Sequence, residues 1–306
     1  MAPDIVHTVC EGVLVSTYLF VLFIIITSRV KIFKTSFYVL FVATGIADVF
    51  SILASCFLRL NRQTVIGPEF ASAVGIAVLV SGTSFLTHMI GNMLLTLNRY
   101  SALCLIKWYD KIWIRRNVWI MIIVQYIVAF GAFSHGIGMN VIYSDNGEGS
   151  YVFTGIDPAV SWRNRFVYLI GSFTYAVMSV SFNTRLFVEW RRLAKTNNNS
   201  RIKGHEKGLL FYTALVFIST MLMCLQQMTK VISNLTGNVD LDKWATMQFF
   251  WINDFMVCVP PFCIVMFSAD LRRDIVSFWR CRRGTKIATV SISIITNRNS
   301  PLWRIK

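Results

Sequence analysis

Two carboxylates stand in stretches that otherwise carry no charge. Asp48 lies in Gly-Ile-Ala-Asp-Val-Phe-Ser at 45–51, and Asp254 lies in Phe-Phe-Trp-Ile-Asn-Asp-Phe at 249–255. A carboxylate in hydrocarbon is costly, so each must face a protein interior and find partners there. Asn92 and Asn253 are amides in the same kind of setting, and the four residues form a candidate intramembrane polar network. Such a network carries ions, protons or a conformational switch, or it simply holds helix to helix. Either carboxylate, if ionised, is a candidate ion site; if protonated it is a hydrogen-bond donor instead. The residues by themselves point to no cofactor. His88 and His135 have no Cys or Asp at ligand spacing in the sequence, so no metal centre is expected. There is no Gly-x-Ser-x-Gly, no P-loop and no dinucleotide fingerprint, so nothing points to an enzyme. Pro260 and Pro261 follow Asp254 within the same apolar stretch; paired prolines free backbone carbonyls there and make a candidate hinge.

The elements that must position these residues are set by where charge is missing. Hydrophobic residues make up 55% of the 306 and charged residues only 15%, against about 25% charge in soluble domains. Crossing a bilayer takes roughly 20 apolar residues in a helix. Seven stretches qualify, at about 10–28, 36–58, 70–98, 117–138, 165–188, 208–229 and 245–268. They read as helices, because runs such as Val-Leu-Phe-Ile-Ile-Ile at 21–26 do not alternate as barrel strands do. The expected fold is an all-α membrane protein, a single seven-helix transmembrane domain over 1–283. No basic region precedes the first span and no small-residue cleavage site follows it, so it is kept as a helix rather than a leader. Leu271, Ile275, Phe278 and Trp279 recur at helical spacing among arginines, which predicts an amphipathic interfacial helix at about 269–283. Residues 284–306 read as a flexible cytoplasmic tail.

Basic residues orient the bundle. The alternate connections that share a side with the C-terminus collect 23 Lys and Arg, and the other side collects 6. The positive-inside rule then places the N-terminus outside and the C-terminus in the cytoplasm. The net charge of +15 is therefore concentrated on one face. That argues against a nucleic-acid partner and for the anionic leaflet of the lipid bilayer, with room for an acidic cytosolic protein. Trp113 and Trp119 are expected to straddle the inner interface and Trp162 and Trp244 the outer one. Cys281, between two arginines, is a candidate palmitoylation site. Asn234, in Asn-Leu-Thr on a short outer loop, is a candidate glycosylation site. Cys10 and Cys56 fall near the outer ends of the first two spans and are close enough in that scheme to be a candidate disulfide.

Particular motifs carry a resemblance. Leu-Asn-Arg-Tyr at 97–100, at the end of the third span, resembles the Asp-Arg-Tyr motif of rhodopsin-like G-protein-coupled receptors, with Asn98 in place of the acid. Asp48 resembles that family's second-helix aspartate at the sodium site, which implies Na+ as a candidate cofactor there, and Asn253-Asp254-Phe255 with Pro260-Pro261 is similar to a displaced Asn-Pro-x-x-Tyr region. The sixth-helix Cys-Trp-x-Pro motif and the cysteine pair from the third helix to the second outer loop are missing. The segments 36–48, 94–102 and 260–272 resemble nematode serpentine chemoreceptors, class gamma first and class V as its near relative. The resemblance covers roughly 10–283. It implies a plasma-membrane receptor, in a sensory cilium for example, that binds an extracellular small-molecule ligand and activates a heterotrimeric G protein. It also implies that Asn98, Arg99 and Tyr100 form the coupling switch. Two other readings fit the same residues: a transporter or channel with Asp48 and Asp254 along its path, and a non-signalling membrane scaffold. No charged group stands out in the sequence as part of an outer-half ligand pocket.

Overall fold

The computed structural model describes residues 4–64, 67–145, 151–196 and 200–278. Seven long helices form the bundle. They are α1 (Ile5–Thr27), α2 (Ser36–Thr64), α3 (Ala71–Cys104), α5 (Arg115–Phe133), α6 (Pro158–Thr196), α7 (Ser200–Thr236) and α8 (Val239–Phe267). A short α4 (Ile106–Ile112) bridges α3 and α5. All seven long helices are apolar and long enough to cross a membrane. Their outward faces carry large apolar groups such as Phe23, Trp119, Ile127, Phe173 and Phe262. A helix pairs its backbone amides within itself along its length, which is what a lipid surround demands.

The helices overrun the apolar stretches that announce them. α1 starts at Ile5 because the Asp4 carboxylate caps it, accepting from the His7 backbone N–H at 3.1 Å. α7 and α8 are joined by a two-residue turn: Gly237 has φ +65°, and the Asn238 side chain accepts from the Leu241 N–H at 3.0 Å. The left-handed residue closes one helix and the amide opens the next. Asn234 accordingly sits exposed in the last turn of α7, not in a loop.

α3 is the axis of the bundle and packs against α2, α5 and α6. The core along it includes Tyr18, Phe41, Phe85, Met89, Leu95, Met223 and Met256, all essentially inaccessible. Two glycines let neighbours approach α3. A Cβ on Gly82 would fall 2.6 Å from the Phe133 ring, and one on Gly91 would collide with Thr44 Oγ1. The connection between α5 and α6 holds a feature that the all-helical expectation lacks. It is an antiparallel hairpin of β1 (Val141–Asp145) and β2 (Tyr151–Ile156), with an irregularity between Ile142 and Tyr143. Phe153 from β2 closes a second apolar cluster with Ala54, Leu58, Val74, Ala77 and Phe250, so the hairpin lies over one end of the bundle.

At the opposite end, residues 269–278 form a helix, α9. It is capped by Ser268, whose hydroxyl accepts from the Leu271 N–H at 3.2 Å. Leu271 is fully buried, and Phe278 packs edge-on against Phe20 and Phe23 of α1. The apolar stripe of this helix therefore meets the bundle. Trp279, Cys281 and the tail from 284 lie outside the described residues.

Candidate functional site

Asp48 comes from α2 and is completely buried. Tyr18 of α1 donates its hydroxyl to Oδ2 at 2.6 Å, and His88 Nδ1 of α3 meets Oδ1 at 2.7 Å. On the far side of the ring, His88 Nε2 meets Asn92 Nδ2 at 2.8 Å and the Thr220 hydroxyl of α7 at 3.5 Å. An amide N–H aimed at Nε2 makes that nitrogen an acceptor, so the imidazole carries its proton on Nδ1 and donates it to Asp48. One carboxylate thus ties α1, α2, α3 and α7 together. Both of its oxygens face proton donors. A Na+ ion wants converging oxygen lone pairs, and the imidazole N–H aimed at Oδ1 offers none, so the residues around Asp48 do not fit the sodium site that the sequence suggested. His88, set aside there for want of nearby ligands, is this carboxylate's partner.

The four residues grouped as one polar network fall into three places. Asp48 and Asn92 share the cluster just described. Asn253 bridges α8 to α2, accepting from Ser51 at 3.2 Å and donating to Ser55 at 3.2 Å. Asp254 turns toward α1, where its Oδ2 meets His7 Nε2 at 2.6 Å. That third group contains residues the sequence had not singled out. Arg59 donates to Glu11 at 2.5 and 3.3 Å, to Thr8 at 2.8 Å and to Gln63 at 3.1 Å. The Trp251 ring stacks on His7 at 3.8 Å. His7, Glu11, Arg59 and Asp254 are all at least nine-tenths buried. His7, Glu11 and Asp254 each offer a ligand atom within 4.8 Å of one another. Arg59 nevertheless covers both Glu11 oxygens, so the group is two linked polar pairs pinning the start of α1 to α2 and α8. The i, i+4 spacing of His7 and Glu11 was the available signal; it was hidden because His7 precedes the first apolar stretch and Glu11 stands at its outer edge.

Pro260 and Pro261 are buried inside α8, which continues as helix through them. They withdraw the amide donors that the carbonyls of Met256 and Val257 would otherwise receive. Cys10 and Cys56 are free thiols: Cys10 is exposed while Cys56 is partly covered.

At the end of α3, Asn98 is buried and its amide donates to the Tyr109 hydroxyl of α4 at 3.4 Å. The Arg99 guanidinium lies over the Phe37 ring of α2, 4.0 Å from its centre. Tyr100 packs against Phe182 of α6 at 5.5 Å. Trp113 donates its indole N–H to Ser101 at 2.6 Å and is 6% exposed. It is a wedge between α3 and α4, not the interface anchor its composition suggested, whereas Trp119, Trp162 and Trp244 are exposed.

The other end holds a cavity of about 210 Å³ beneath the hairpin. Phe153 and Gly155 of β2, Leu58 and Arg62 of α2, Arg165 of α6, and Lys230 of α7 are among its walls. Charged groups therefore do line a pocket at this end. The sequence could not show it, because the three cations lie on three different helices.

The fold and these two ends define a class: a seven-span, multi-pass membrane protein with a covered cavity at one end and an Asn-Arg-Tyr cluster at the other. The chain matches the family model described as "Serpentine type 7TM GPCR chemoreceptor Srv" over residues 8–281. It therefore belongs to the Srv family of serpentine seven-transmembrane chemoreceptors, the second of the two classes its motifs resemble. A search of curated proteins found no match.

Proposed function

We propose that this receptor binds an extracellular small molecule in the cavity beneath the hairpin and activates a heterotrimeric G protein at the Arg99 end. The observation that carries the reading is the placement of Asn98, Arg99 and Tyr100 at the end of α3, across the bundle from the cavity. Arg99 rests on an aromatic face there, and Asn98 cannot form a carboxylate lock with it. The 23-to-6 division of Lys and Arg supports an orientation with the hairpin outside and Arg99 in the cytoplasm of a plasma-membrane protein. Between the ends, the Asp48 cluster spans four helices and is suited to couple them as a two-state element.

The test is GTP exchange on a purified heterotrimer by receptor in nanodiscs, screened against small volatiles and secreted lipids. Arg99→Ala should abolish any ligand-driven exchange while leaving surface expression normal. Undiminished exchange by that variant would remove Arg99 from the coupling role.

A further inference from the structure

We propose that the cavity beneath the hairpin takes an organic anion, a single acidic headgroup on a short apolar or aromatic body. The inference rests on the reading of this cavity as the ligand site and adds the chemical class of the ligand.

The end of the bundle that carries the hairpin holds six Lys and Arg in the whole chain, against eight Asp and Glu. Three of those six, Arg62, Arg165 and Lys230, line this one cavity. Among the described residues, none of the three comes within 4.0 Å of a carboxylate. Asp242 is the one acid in the wall, and it accepts from Ser233 at 3.3 Å. The cavity therefore keeps a formal surplus of two positive charges. Arg59 gives the contrast, because it lies one turn from Arg62 on the same helix and is paired with Glu11. The chain pairs the buried Arg59 with its own carboxylate, but sets a single acid against three cations in the cavity, beyond 4.0 Å from each among the described residues.

Gathering like charges in a partly enclosed space costs stability unless an opposite charge enters. An anion would meet charge-assisted donors from three helices at once. The remaining walls set the body of the ligand: Leu58, Val78, Phe249 and Phe250 are apolar, and 210 Å³ admits a small molecule or one short chain. Asn164 adds a polar handle. It is 9% exposed, lines the cavity, and its side-chain oxygen has no hydrogen-bond partner. A hydroxyl or amide N–H on the ligand would satisfy it.

The test uses the full chain in phosphatidylcholine nanodiscs and probes that differ only in charge: 4-hydroxyphenylacetate, tyrosol and tyramine, with hexanoate, hexanol and hexylamine as an aliphatic set. The expected result is a rise in Tm with at least one of the anions and none with its neutral or cationic counterpart. Arg165→Gln and Lys230→Gln should each weaken the response by about 10- to 100-fold in apparent affinity. Arg165→Lys should retain most of it. Without any probe, Lys230→Met should raise Tm, because the formal surplus of positive charge in the cavity falls from two to one. In nanodiscs doped with phosphatidylglycerol, a raised Tm that depends on the same cations would assign the anion to a lipid headgroup and keep the class. The proposal is overturned if neutral or cationic probes stabilise as strongly, if the Gln variants respond as wild type does, or if neither the free anions nor the anionic lipid shifts Tm. Exchange on the G protein separates this from the receptor reading. Anion binding without exchange keeps the anion site and sinks the receptor reading, whereas exchange driven only by neutral or cationic molecules does the reverse.

Discussion

Asp48 is the residue whose replacement tests the organisation of the bundle most directly. Two donors converge on it, the Tyr18 hydroxyl at 2.6 Å and the His88 imidazole at 2.7 Å, with no exposure to solvent. Asp48→Ala removes the acceptor and strands both donors. A buried unsatisfied polar group costs about 1–3 kcal/mol, so the pair sets a loss of about 2–6 kcal/mol. Asp48→Asn keeps the shape and one acceptor oxygen. Its amide also suits the other tautomer of His88, in which Nδ1 accepts and Nε2 donates to a turned Asn92 amide. The loss there is the difference between charge-assisted and neutral hydrogen bonds, about 1–3 kcal/mol, offset by relief of burying a charge. The Ala variant should therefore be the less stable of the two. Tyr18→Phe supplies the sharper test. In wild type it should destabilise, but in the Asp48→Ala background it should recover about 1–3 kcal/mol by deleting a stranded hydroxyl. Cys224 and Cys263 are free and buried, so a thiol-reactive fluorophore reports unfolding in detergent. If Asp48→Ala is no worse than Asp48→Asn, or if Tyr18→Phe destabilises both backgrounds equally, the donors do not depend on Asp48 and the reasoning fails.

Gly91→Ala should lower Tm markedly, because the new methyl would collide with Thr44 and with Gln125, whose amide donates to the Thr87 carbonyl at 2.9 Å; Gly131→Ala, with nothing within 4 Å, should be neutral or stabilising by up to about 1 kcal/mol. Arg59→Met strands a buried Glu11 and should cost about 3–5 kcal/mol, while Arg59→Met with Glu11→Leu should recover most of it; a double variant no more stable than Arg59→Met in the same thermal assay would show that the pair is not what Arg59 serves. Gly237→Ala should cost roughly 1–2 kcal/mol through its φ of +65°, measurable as a Tm decrease with expression otherwise retained.

The seven spans were legible because lipid imposes a one-dimensional rule: a crossing helix must be apolar for its whole length, and that is visible without knowing what it packs against. The same rule exposed Asp48 and Asp254, since any carboxylate inside such a stretch is an exception. Helix ends were less legible, because Asp4, Asn238 and Ser268 act through caps and because charged residues such as Arg62 and Arg163 continue the helices past the apolar stretches. The hairpin over 141–156 was not legible at all, since its short strands gain their stability from Phe153 packing on α2 and α3 neighbours rather than from local pattern.

What the sequence determined by itself was the number of crossings, the family resemblance, and the two carboxylates, Asp48 and Asp254, that must find buried partners. Which partners they find was decided only in three dimensions. Tyr18 and His88 reach Asp48 from two other helices, Thr220 of a third meets the far side of His88, and His7 reaches Asp254 across 247 positions of chain. Hydropathy records how much a residue costs to bury. It carries no information about the rotation of one helix against another, and that rotation sorted Asp48 and Asp254 into separate clusters and brought Arg62, Arg165 and Lys230 to one cavity.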